Sequence, residues 1–256
     1  MKKTILFLLL SLSIFIFGCR QKEIQTQTYD VRLIVYEPGD DNFLRPREVI
    51  AKYKNSLEET AVNEVINILK QQGHISENLK LKSIKKESNI VYIKLNKEVG
   101  DMKKDNNLVL YSIINTVTEV PKVEKVVIRT NKGEYTYIRN RNLIKRDKSL
   151  NPAQVLKKQM LYEQEGDFFS AYLLMSDEVT NDFRKSYDEY YREMLEVYSL
   201  GFTKQKFEVG SYTVDGNMAK VKVVFLAPEG KVDLYFKCVN IEGVWLVDWL
   251  TSQANM

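Results

Sequence analysis

The chain has 256 residues and 44% hydrophobic content, enough for two ordinary domains that each bury a core. Its 38 basic and 34 acidic residues nearly balance, which excludes the dense positive footprint of a nucleic-acid binder. With His74 the single histidine, a His-based metal triad is excluded, and no metal or other cofactor is expected.

Lys2 and Lys3 precede an apolar run from Ile5 to Phe17. That is the charged and apolar pair of regions of a secretory signal, too short for a comfortable membrane-spanning helix. The stretch Ile16-Phe17-Gly18-Cys19 resembles the lipobox of bacterial lipoproteins. The resemblance implies that residues 1–19 are a lipoprotein signal and that Cys19 carries the lipid anchor, on the outer face of the cytoplasmic membrane. Residues 20–29 are polar and aperiodic and read as a tether, on the order of 30 Å when fully extended. Cys238 is then left without a partner, so no disulfide framework is available and stability must come from packing. It alternates with Leu234 and Phe236, as a small buried hydrophobe on a strand does.

Residues 30–140 read as a first domain. Val31 to Tyr36 is a strand, and the stretch from Glu37 to Asn42 turns. Leu44 to Ile50 reads as a short segment before a helix. Ser56 and Glu59 make a capping box for that helix, with Leu57, Ala61, Val65, Ile68 and Leu69 on one face and Gly73 at its end. Leu81–Lys86 and Asn89–Leu95 form a hairpin. Leu110, Ile113, Ile114 and Val117 mark a second helix, capped by Asp105 or Asn106 and stopped by Pro121. Val123, the run Val126-Val127-Ile128, and Tyr135 to Ile138 are strands about a Lys132-Gly133 turn.

The order is β-α-β-β-α-β, a two-layer α+β sandwich. Asn115-Thr116-Val117-Thr118-Glu119-Val120-Pro121, then Val123 and Lys125-Val126-Val127-Ile128, resemble the end of the GerMN domain, the sporulation and germination module of bacterial envelope proteins. Where that family usually has glycine after the proline, this chain has Lys122. The resemblance implies a domain akin to ring-building motifs, which assemble through protein contacts. The candidate interaction surface is Asn115, Thr116, Glu119, Lys122 and Lys125.

Residues 141–150 form a basic linker, with Arg141, Lys145, Arg146 and Lys148 against Asp147. Residues 151–256 read as three helices followed by four strands. Asn151-Pro152 opens the first helix and Gly166 ends it; Asp167 caps the second. After Ser176-Asp177 a long third helix carries Val179, Phe183, Tyr187, Tyr190, Tyr191, Met194 and Tyr198 on one stripe. Turns at Asp215-Gly216, Pro228-Glu229-Gly230 and Glu242-Gly243 join the strands in a meander. The order, closing on Gly243-Val244-Trp245-Leu246-Val247-Asp248-Trp249, resembles the nuclear transport factor two-like cone of three helices on a curved antiparallel sheet. Such cones often enclose a cavity, and the residues expected in it are Tyr162, Tyr187, Tyr191, Tyr235 and Asp248.

No glycine-rich phosphate loop, Cys/His cluster or nucleophile beside a base stands out, so the chain reads as non-catalytic. The leading expectation is a membrane-anchored envelope lipoprotein acting as an assembly scaffold in sporulation or germination. Its partners would be other envelope or sporulation proteins or further copies of itself, with the membrane reached through the lipid. The alternative is a binding module whose cone holds a lipid or glycan fragment. The basic linker offers a third contact, with anionic headgroups.

Overall fold

The computed structural model describes residues 29–100, 107–178, 182–201, 205–227, 230–249 and 253–254. The expected signal, lipobox and nearly all of the tether lie outside the described residues, as do Asp105, Asn106 and Val179. The chain begins with a β-hairpin, β1 (Asp30–Pro38) and β2 (Leu44–Lys52). The second of these strands replaces the short segment read from sequence. Of β2 only Leu44 and Ala51 are buried, so its apolar residues do not alternate. Pro46 is tolerated because β2 is an edge strand.

Helix α1 (Leu57–Gln71) follows, with the Ser56 side chain accepting the Glu59 amide at 3.1 Å. β3 (Leu81–Glu87) and β4 (Ile90–Leu95) pair antiparallel. Helix α2 (Leu108–Glu119) is capped by Asn107 and crosses over to β5 (Lys125–Thr130), which runs parallel to β4. β6 (Gly133–Ile138) closes the sheet in the order β3-β4-β5-β6. The fold class is α+β, with the order β-β-α-β-β-α-β-β.

Helix α2 is buried from Ser112 to Glu119. Ile113, Ile114 and Val117 join the core under the sheet, and the Tyr36 amide of β1 donates to Thr116 Oγ1 at 2.9 Å. Pro121 follows the helix, and Lys122 then takes a left-handed backbone with φ 62°. That conformation is the reason glycine is the usual residue there.

The stretch read as a linker is folded against the hairpin. A short 3-10 turn spans Arg141–Leu143, Leu143 and Ile144 are buried, and Ile144 bridges Leu44. Helix α3 (Pro152–Glu165) starts in a capping box between Asn151 and Gln154 and ends at Gly166, φ 78°. Helix α4 (Phe168–Leu173) is capped by Asp167. Helix α5 (Tyr187–Ser199) begins at Ser186, well after Asp177, because Ser186 and Glu189 form the capping box. Phe183, placed on that helix from sequence, precedes it and is 57% exposed.

The meander β7 (Lys206–Asp215), β8 (Met218–Ala227), β9 (Gly230–Ile241) and β10 (Val244–Val247) is antiparallel throughout. β11 (Gln253–Ala254) continues along the β10 edge of β9. Val221, Val223 and Cys238 are fully buried in one cluster with Val155 and Leu156 of α3. The two halves share a further core. Ile34, Tyr36 and Leu44 of the hairpin pack with Leu143 and Ile144 and with Phe168, Ala171, Tyr172, Tyr187 and Tyr190. Among the described residues no helix is long and apolar enough to cross a membrane.

Candidate functional site

A cavity of about 350 Å³ lies between α3, α5 and the inner face of the C-terminal sheet. Inward-facing strand residues Phe207, Phe225 and Phe236 make one wall, Met160, Met175, Met194 and Trp249 add further apolar surface, and Gln159, Gln164, Lys185, Glu193 and Gln205 make a polar side. Thioethers and aromatic rings of this kind fit apolar molecules of varied shape. Trp249 is fixed by its indole N–H, which donates to the Ser176 carbonyl at 2.6 Å.

Two carboxylates line this space: Glu193, paired with Lys185, and Glu163, which is bonded within it. Glu163 Oε1 accepts the Tyr190 hydroxyl at 2.7 Å and the Gln159 amide at 2.5 Å. Burial pushes the Glu163 carboxyl above its ordinary value, and these two donors offset that only in part. Both bonds fall on Oε1, which leaves Oε2 for a ligand. The geometry comes from helical spacing: Gln159 and Glu163 are four residues apart on α3, and Tyr190 faces them from α5.

The residues expected in the cavity are elsewhere. Tyr187 is buried in the core shared with the hairpin, its ring against Phe169, Tyr172 and Tyr191. Tyr191 lies under the Arg32 guanidinium of β1 at 3.8 Å, and Tyr162 packs at the edge of the same core. Tyr235 points to the other face of the sheet, with Lys220 Nζ 4.3 Å from its ring. Asp248 follows β10, half-buried, and its amide donates to the Lys237 carbonyl. The aromatic stripe of α5 is therefore two faces in one. Tyr187, Tyr191 and Tyr198 turn toward the shared core, whereas Tyr190 and Met194, about 80° around the helix, reach both that core and, with Val197, the cavity.

A second cluster sits where the halves meet. Glu119, at the end of α2, takes the Arg184 Nη2 donor at 2.7 Å on Oε1. Its Oε2 accepts from Arg139 and from the Tyr36 hydroxyl, the latter at 3.1 Å. Arg184 also donates to the Glu119 carbonyl at 3.0 Å, so a back-half cation closes the C-terminal end of a front-half helix. Asp177 faces Arg146 at 2.8 Å, Arg141 at 3.1 Å and Arg139 at 3.4 Å. Burial alone would raise both carboxyls, but the guanidiniums overcome it: Arg139 and Arg184 hold Glu119 low, and Arg139, Arg146 and Arg141 hold Asp177 well below the carboxylate range.

This corrects the expected interaction surface. Asn115, Thr116 and Glu119 are buried, and Asn115 is clasped by the backbone of Asn140 through two bonds of 3.0 Å. Lys122 is exposed and Lys125 half-buried.

Residues 34–135 match the Germane family, described as sporulation and spore germination. No curated protein matches the chain. Among solved structures, a Campylobacter jejuni protein, provisionally titled an NTF2-like transpeptidase, is 16% identical. It covers 39% of this chain and 98% of its own, with a TM-score of 0.31. A Clostridium perfringens protein, provisionally titled a lipoprotein, is 19% identical over 47% of this chain and 95% of its own, with a TM-score of 0.26. The helical cell shape determining protein of Campylobacter jejuni is 12% identical over 91% of this chain and 77% of its own, with a TM-score of 0.31. Likenesses this distant carry no functional argument. The segment that matches this sporulation and spore germination family, residues 34–135, is joined to an α+β back half through a buried ionic core.

Proposed function

We propose that the protein is a non-catalytic binding protein of the cell envelope in sporulation or spore germination, whose C-terminal cavity holds a small, mainly apolar ligand with a hydrogen-bonding head at Glu163. The observation that carries the reading is the cavity itself: about 350 Å³, walled on one side by methionine and aromatic side chains, with Glu163, Glu193, Lys185 and three glutamines supplying its polar groups. That is the make-up of a small-molecule site. The envelope role follows from the family match and from the lipobox-like Cys19, which would tie the chain to the outer face of the cytoplasmic membrane.

Calorimetric titration of the protein with octanol and with octylamine tests the reading. Saturable heat is expected for at least one of them. It should be lost in Met194→Trp, which fills the cavity, and a wild-type protein that binds neither would refute the proposal.

The second reading, an assembly scaffold, is favoured by the free edges of β3 and β6 in the front sheet, which can accept a partner strand. Crosslinks in starved cells from Lys125 or Lys82 to other envelope proteins would support it, and crosslinks to lipid neighbours alone would count against it.

A further inference from the structure

The junction cluster holds four guanidiniums, Arg139, Arg141, Arg146 and Arg184, against two carboxylates, Glu119 and Asp177. Two positive charges are therefore in excess inside or at the edge of the protein, and a buried charge left uncompensated is costly. Buried donors also lack hydrogen bonds: Arg139 Nη1 and Arg184 Nε make none, and Arg139 Nε has only its 3.4 Å ion pair with Asp177. The excess comes to the surface at Arg141 and Arg146, whose side chains are 23% and 14% exposed. Each spends its bond to Asp177 through one nitrogen, Nε of Arg141 and Nη2 of Arg146, so the rest of each fork is available.

Both arginines line a cleft of about 270 Å³ between the 141–148 segment and the β9–β10 turn. Lys145 and Lys148 line it too, Asn142 adds an amide, and Glu242 is the one carboxylate among the lining residues. Lys145 reaches Asp41 at 3.3 Å, and Lys148 makes no ion pair among the described residues. Phe43, Ile144, Ile241 and Val244 form the apolar part of its wall.

We propose that this cleft is an oxyanion site for a phosphoryl group, held by the free guanidinium donors of Arg141 and Arg146 and by Lys148. Planar forks suit phosphate oxygens, and Asp177 fixes both arginines in place before any ligand arrives. The site is separate from the Glu163 cavity and does not depend on it. A phosphoryl group reaches an envelope protein from two sources, a phospholipid headgroup or a free phosphate ester.

The test is calorimetric titration of the full-length protein at low salt with inorganic phosphate, glycerol 3-phosphate and soluble dihexanoylphosphatidylglycerol, each at matched ionic strength against chloride. Saturable binding is expected, weakened about five- to tenfold by Lys148→Gln, and tightened about two- to fivefold by Glu242→Gln. Lys148 is outside the folded core, and a gain of affinity in Glu242→Gln cannot come from misfolding. Tighter binding of the lipid than of glycerol 3-phosphate would assign the headgroup source, and equal affinities the free ester. Absence of binding at millimolar phosphate, or affinities that neither substitution moves, would overturn the proposal and leave the arginines a purely structural role.

Discussion

Replacing Glu119 with glutamine removes one of the two negative charges in the junction while keeping the side-chain shape. Glu119 is 8% exposed and is engaged by Arg184 at 2.7 Å, by Arg139 and by the Tyr36 hydroxyl at 3.1 Å. Removing one partner of a buried pair costs about 3–5 kcal/mol, because the remaining charge stays buried and unpaired. Against a total stability of about 5–15 kcal/mol, the loss is measurable by urea denaturation. A second substitution separates charge from shape: Glu119→Gln combined with Arg184→Met removes one charge of each sign. The double variant should be more stable than the sum of the two single losses predicts, by at least about 1.5 kcal/mol. Losses that add to within about 0.5 kcal/mol would refute the argument. The pH dependence has a definite sign. Both Glu119 and Asp177 are held below their unfolded values, so the unfolded chain binds more protons. The stabilisation is present above about pH 4 and is lost as pH falls below the unfolded carboxylate values. The wild-type midpoint should fall steeply on acidification, and that of Glu119→Gln less so.

Three further outcomes follow from other parts of the fold. Lys122→Gly relieves a left-handed residue at φ 62°, a relief of about 1–2 kcal/mol less the added unfolded-state entropy of glycine, so thermal denaturation should show a net gain of about 0.5–1 kcal/mol. Ile144→Ala truncates a side chain buried in the core that it shares with Leu44 and should cost about 2–4 kcal/mol; circular dichroism and tryptophan fluorescence should still report one coincident transition, whereas two transitions would show the halves to be independent. The Cys238 thiol is fully buried and pushed up to about 12, so in a Cys19→Ser variant Ellman's reagent at pH 8 should label nothing in the native protein and one thiol in guanidinium.

The elements that carried local signals were legible in the sequence. Ser56 before α1, Asn151-Pro152 before α3 and Asp167 before α4 are caps whose chemistry acts within four residues, and each stands where the chain pattern puts it. The β7 to β10 meander was legible for the same reason, since its turn residues and alternation are local. What escaped was set by contacts distant in sequence. β2 has no clean alternation because it is an edge, and its strand character comes from pairing with β1. On α5 the tyrosines look like one apolar stripe, and only the presence of the hairpin beside Tyr191 and of the sheet beside Tyr190 divides it into two faces. Glu163 gave no signal, because a glutamate on an amphipathic helix ordinarily faces water. Its one sequence mark is the spacing to Gln159.

The fate of Glu119 explains why a surface expected on the front domain is interior. Residues 34–135 contain Glu119, Thr118 and Tyr36, but Arg139, Asp177 and Arg184 all lie beyond that span. The carboxylate's cationic partners are therefore supplied by the part of the chain outside the GerMN match. In a GerMN domain standing alone, the end of α2 would present this carboxylate and the unpaired carbonyls of Thr118 and Glu119 to solvent or to another protein. Here Arg184 takes all three, and Asp188 of α5 accepts the Arg32 amide on the open edge of β1 at 2.9 Å. The back half thus occupies the α2 and β1 face from within the same chain. Strand edges on the far side of the front domain, those of β3 and β6, stay unpaired in the sheet, and a scaffold built from this chain could use them.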